Sequence, residues 1–158
     1  MKTITRTVKT AAEMLKLCQF LQQLTKYPMT VTIKSGSEPR SNKQNRLFWQ
    51  WMNDLEAQGD QTAQEYRAYC KLHFGIPILR AESPEFREQY DRLIRPRFDY
   101  TEKLALMVEP HDYPVTRIMT VKQEKLMLDK IWNHFTGLGF QLTDPEAFGI
   151  EQRYGEAA

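Results

Sequence analysis

The chain shifts between two hydrophobic periods. Near the N-terminus Ile4, Arg6 and Val8 alternate with Thr3, Thr5 and Thr7, a β-rich stretch of period two. From Ala11 the period lengthens. Ala11, Met14, Leu15, Cys18 and Leu21 recur at spacings of three and four, which predicts a helix from Ala11 to about Leu24 behind Thr10 as its cap. Pro28 breaks that pattern. Met29 to Lys34 (MTVTIK) is β-branched and alternating and reads as a second strand. The sequence leaves open whether the two strands pair in parallel across the helix or lie in a small mixed sheet.

Ser35 to Pro39 (SGSEP) is a turn, and Ser41 caps a predicted helix from Asn42 to about Gln58, ended by Gly59 and Asp60. Thr62 followed by Glu65 is a capping box that opens a helix to near His73, stopped by Gly75 and Pro77. Ser83-Pro84 starts another helix to about Ile94, before Pro96. Asp99 to Val108 reads as a short helix, Pro110 to Pro114 as a loop, and Arg117 to Met119 as a third short strand. Thr120 with Gln123 is a further capping box. It opens a long helix from Val121 to Gly137, whose apolar set is Leu126, Leu128, Ile131, Trp132 and Phe135. Beyond it no clear period remains. The expectation is an α+β fold, a small β-sheet of about three short strands packed with several α-helices. Residues 1–143 form one domain and residues 144–158 an acidic, mobile tail.

A chain of 158 residues is long enough to bury a core, and 41% hydrophobic with 27% charged residues describes a folding chain rather than a disordered one. Cys18 and Cys70 have no CxxC partner, so both read as reduced thiols in or near the core. No apolar run reaches the roughly 18 residues of a membrane span, and Met1 to Lys9 lacks the apolar centre of a signal peptide. These features predict a cytoplasmic protein with no membrane partner.

Net charge is only +2, but it is unevenly spread. Met1 to Arg46 holds nine Lys or Arg against two acidic residues, a local balance of +7, while the remainder balances at −5. From Thr143 onward four acidic residues face only Arg153. The N-terminal third is therefore a candidate surface for a polyanion.

The stretch Arg40 to Asn53 (RSNKQNRLFWQWMN) is the most informative. On a helix, Phe48, Trp51, Met52 and Leu55 form an apolar stripe, while Asn42, Arg46, Trp49 and Asn53 fall on a polar face flanked by Lys43 and Gln50. Lys43 and Arg46 can neutralise phosphates, and Asn42, Gln44 and Asn45 can hydrogen-bond phosphates or base edges. Trp49 can stack on an unpaired base. Lys34, Arg40 and Ser41 extend this surface at the helix start, whose exposed N–H groups favour an anion. The competing structural role is packing of Trp49 against a neighbouring helix. Arg95 and Arg97, flanking Pro96, are a second phosphate-binding candidate, with Asp91, Asp99 and Glu102 as competing ion-pair partners. Tyr66, Tyr69, Tyr90 and Tyr100 read as core or interface aromatics.

Arg40-Ser41, then Gln44-Asn45-Arg46 and Trp49, resemble the R-S-x-x-Q-N-R-x-x-W signature of the NinB (Orf) family of phage and prophage proteins. Weaker similarities are Thr116 and Thr120 before the long helix, and Gly139, Phe140, Leu142 and Pro145 after it. The resemblance implies a non-enzymatic recombination mediator without a cofactor. It implies a homodimer in the bacterial host cytoplasm that prefers single-stranded or tailed DNA. It also implies help in loading a phage recombinase onto DNA covered by single-strand-binding protein. Two alternatives stand beside it. One is a metal-dependent, structure-specific nuclease, in which Glu109, His111 or Asp112 converges with another carboxylate. The other is a protein–protein adaptor of a replication or recombination complex. No GxxxxGK[ST], HExxH or GxSxG pattern occurs in the chain.

Overall fold

The structure, a computed structural model, describes residues 4, 6, 8–33, 40–151 and 153–155, with the backbone only for Arg40 and Ser41. The chain forms two compact units, residues 1–36 and 37–158. Among the described residues the first holds one helix and the second several, and neither has a strand.

The first unit contains α1 (Ala11–Gln22). Thr10 accepts from the Glu13 backbone N–H at 3.2 Å while the Glu13 carboxylate accepts from the Thr10 N–H, so two orphan donors of the first turn are satisfied. Backbone hydrogen bonds to that carboxylate, from Lys9 foremost, hold it below its usual range. The Arg6 guanidinium lies 4.2 Å from the centre of the Phe20 ring. No residue of α1 is buried, and Met14 and Leu15 are exposed. Cys18, expected in or near a core, is also exposed.

The second unit packs α2 (Arg40–Gln58), α3 (Ala63–Cys70), a π-helical turn (Lys71–Gly75), α4 (Ile76–Glu82), α5 (Pro84–Leu93), α6 (Tyr100–Leu106) and α7 (Val121–Gly137). Short 3-10 turns span Thr116–Ile118 and Pro145–Phe148. The stripe read on α2 is the centre of the core. Phe48, Trp51, Met52 and Leu55, together with Leu47, pack against Met127, Leu128, Ile131 and Phe135 of α7. A second cluster joins Ala68, Ile76, Leu79, Tyr90, Met107 and Val115. The segment after α7 is laced to α2. The Trp51 indole N–H donates to the Thr143 carbonyl at 2.8 Å, and Asp54 and Gln58 accept from the Thr143 and Gln141 N–H groups. Ile150 and Tyr154 are buried, Tyr154 standing edge-on to Trp51 at 5.6 Å.

The α+β expectation is thus replaced by an all-α fold. Met29–Ile33 runs without regular structure, with Val31 and Ile33 exposed. A β-branched run becomes a strand only where a neighbour satisfies its backbone, and none is present among the described residues. Lys34, the end of that expected strand, and much of the N-terminal alternating stretch lie outside the described residues. Arg117–Met119 is not a strand either, because Thr116–Ile118 closes into a 3-10 turn.

Two helix boundaries also moved. α2 starts at Arg40, so Ser41 lies inside its first turn rather than capping it. Gly75 and Pro77 do not stop the helical path. Pro77 sits in the first turn of α4, where no intrahelical N–H is needed, and Gly75 is required by space, since a Cβ there would lie 2.4 Å from Val115 Cγ1. α6 is opened by Asp99 and Glu102 as a reciprocal capping box. Among the described residues no helix is long and apolar enough to cross a membrane.

Candidate nucleic-acid interface

The register that buries Phe48 and Trp51 turns a different face of α2 toward a cleft of about 430 Å³ within the second unit. Asn42, Asn45 and Trp49 line it, three residues from the sequence block singled out above. The opposite wall comes from elsewhere in the chain. α3 supplies Arg67, the π turn Lys71, the segment 112–119 Asp112, Val115 and Arg117, and α7 Glu124.

Arg67 and Lys71 are one helical turn apart and are buried, at 8% and 1% exposure. Charged side chains this deep need partners. Asp112 provides them: its Oδ1 accepts from Arg67 at 2.7 Å and from Lys71 at 2.9 Å, and Lys71 also donates to the Met107 carbonyl. Burial pushes the Asp112 carboxyl upward, but the Lys71 and Arg67 hydrogen bonds and charges outweigh it and hold the group at about 2. Burial also draws the Lys71 ammonium below its usual range, opposed by Asp112. Asp112 itself adopts φ 44°, a left-handed conformation that Asp tolerates better than most residues.

Arg67 has two further features. Its guanidinium carbon lies 4.8 Å from the centre of the Trp49 ring, a cation–π contact. Its Nε–H is buried with no hydrogen-bond partner. Glu124, also buried, has its carboxyl raised to about 7 by burial, so its charge changes near neutral pH. With Glu124 protonated the wall carries Arg67, Lys71 and Arg117 against the single carboxylate of Asp112. With Glu124 ionised the excess falls by one charge.

The other residues expected at the interface are spread more widely. Gln44 is buried on the inner side of α2, and its Oε1 has no partner. Lys43 is half-buried, while Arg46 and Asn53 are exposed and lie outside the cleft lining. Arg95 and Arg97 are exposed near the end of α5, and Arg95 is 3.8 Å from Asp91. That part of the chain is not in the cleft wall. Lys34 and the side chains of Arg40 and Ser41 lie outside what the structure describes.

Arg67, Lys71, Arg117 and Glu124 were missed by sequence reasoning. One signal was available. Arg67 and Lys71 share a helical face with buried Cys70, and cations inside an otherwise apolar stripe mark a paired or functional site. Of the loop residues considered for a metal, Asp112 is engaged by two cations, and among the described residues no group of three or more His, Cys, Asp or Glu comes together to hold an ion. Against known protein families, curated proteins and solved structures, the chain shows no match.

Proposed function

We propose that this protein binds DNA, with single strands preferred, through the cleft between α2, α3 and the 112–119 segment. The observation that carries the reading is the meeting of Asn42, Asn45 and Trp49 with the cations Arg67, Lys71 and Arg117 around one cavity. Amides, an aromatic ring and excess positive charge are the groups that contact a nucleic-acid strand. The +7 balance of residues 1–46 supports it, and so does the resemblance of the R-S-x-x-Q-N-R-x-x-W block to the NinB family. On that resemblance the biological role is recombination mediation in a phage or prophage system. The protein acts as a homodimer that helps a recombinase onto strands covered by single-strand-binding protein.

The test is fluorescence anisotropy of labelled single strands and matching duplexes over a salt series. Tighter binding of single strands, weakening steeply as salt rises, is expected. No binding to either ligand at low salt ends the reading. The adaptor role is a second reading, favoured by the exposed Met14, Leu15, Val31 and Ile33 of the first unit. Capture of a replication or recombination protein that survives loss of Arg67 and Trp49 is its signature.

A further inference from the structure

Trp49 was expected to stack on a base, yet one face of its ring is already covered by the Arg67 guanidinium. Arg67 is held from a second side, by Asp112 on Nη1. Two independent contacts therefore fix the plane of this side chain, and its Nε–H is left buried and unpaired in the cleft wall. A donor in that position costs free energy unless an acceptor arrives. Lys71 beside it spends protons on Asp112 and on the Met107 carbonyl, and has three to give. Arg117 stands exposed on the same lining. Three cations, Arg67, Lys71 and Arg117, are gathered here against two carboxylates, Asp112, which is engaged by the first two, and Glu124, so donors and positive charge are in excess. A phosphate, with acceptors only and a negative charge, complements this excess, whereas a base edge brings donors of its own.

We propose that the cleft is a phosphate site in which Arg67 is the anchoring donor and Trp49 a positioning residue that holds the guanidinium flat. The proposal rests on the reading that the cleft takes DNA, and it assigns the backbone rather than the base as the group recognised there. Arg67 supplies a planar fork of donors where Lys71 supplies a point charge, so the two are not interchangeable. Specificity for base sequence is not a property of this site.

The experiment compares a labelled oligo-dT with an abasic phosphodiester chain of the same length, by anisotropy at fixed ionic strength. Wild type is set against Arg67→Gln, Arg67→Lys, Trp49→Leu and the double variant Arg67→Gln/Trp49→Leu, with helicity checked by circular dichroism. Arg67→Gln is expected to weaken both ligands alike by about tenfold or more. Arg67→Lys recovers part of the loss, because charge returns without the fork. Trp49→Leu weakens both ligands by the same factor, and the double variant is no weaker than Arg67→Gln. Inorganic pyrophosphate displaces the abasic chain from wild type.

A Trp49→Leu loss confined to oligo-dT overturns the proposal, because the ring then contacts a base. So does a double variant whose losses simply multiply, or an Arg67→Gln protein that is folded and binds both chains like wild type. Should Arg67→Gln unfold, the comparison of Trp49→Leu on the two ligands decides the matter. A wild-type protein that binds neither chain at low salt defeats the DNA reading and this proposal with it. One that binds oligo-dT while Arg67→Gln has no effect defeats this proposal only.

Discussion

Two arginine–aspartate pairs in the second unit join the same two residue types and differ in geometry. Arg80 of α4 grips Asp91 of α5 with both arms of its fork, Nε to Oδ1 and Nη2 to Oδ2, each at 2.8 Å. The side chains are about a third exposed, and the pair clips two adjacent helices. Arg67 meets Asp112 through Nη1 alone, shares that oxygen with Lys71, and keeps a buried Nε–H unpaired. The first pair uses both arms of the fork on both carboxylate oxygens, with Arg95 a further cation 3.8 Å from Asp91. The second is poised, with donors in excess of acceptors. A satisfied fork is what a structural ion pair needs, while an unsatisfied one in a cleft wall has capacity left for a ligand.

The largest expected contrast is in DNA affinity. Arg67→Gln should weaken single-strand binding by about 10–100-fold, the worth of a hydrogen bond to a charged group. Arg80→Gln should leave binding within about twofold, as expected away from the ligand. Equal losses in both variants would break the comparison.

Next in size is a pH effect at the cleft, carried by Glu124 in the same wall as the Arg67–Asp112 pair. Glu124, at about 7 in the folded protein against an ordinary 4.5, favours folding most below pH 4.5 and loses that contribution as pH rises through 7. Glu124→Gln should therefore be more stable than wild type at pH 8, by on the order of 3 kcal/mol, with the gap closing toward pH 4.5. The same variant should flatten the decline of DNA affinity between pH 6 and 8, since ionised Glu124 places a negative charge in the wall. Urea titrations and anisotropy across that range measure both, and a parallel pH profile for the two proteins would contradict the assignment.

A smaller effect is expected for Arg80→Gln in thermal unfolding, a fall of no more than about 2–4 °C, because a partly exposed ion pair contributes little. The smallest is in acid. Asp112, lowered to about 2 from 3.8, contributes stability above its unfolded value and loses it as pH falls through 2. Its side chain is 46% exposed, so solvent screens much of this. Asp112→Asn should show a shallower acid limb than wild type below pH 4, measured by circular dichroism.

Much of the helical layout was legible because it is written locally. The capping boxes at Thr62 and Thr120 formed as their spacing implies, since donor and acceptor lie within one turn. So did the buried stripe Phe48, Trp51, Met52 and Leu55. The strands were misread because alternation only proposes a strand, and pairing is a property of two segments. Helical spacing groups Asn42, Arg46, Trp49 and Asn53 on one face, of which Asn42 and Trp49 line the cleft, joined there by Asn45. Gln44 lies four residues before Phe48 and seven before Trp51, so the same spacing puts it on the inner face, and its polar side chain alone suggested a ligand contact.

The sequence by itself determined the caps, the apolar face of α2 and the candidate polar face beside it, because residues a turn apart have no freedom to separate once the helix forms. Only the tertiary structure decided what that polar face meets. Asp112 lies 45 residues from Arg67 and 41 from Lys71, and Trp49 touches Arg67 from another helix. Contacts of that span are set by how the cores of α2, α3 and α7 pack, so the cleft, its unpaired donor and its titrating carboxyl were not visible in any local pattern.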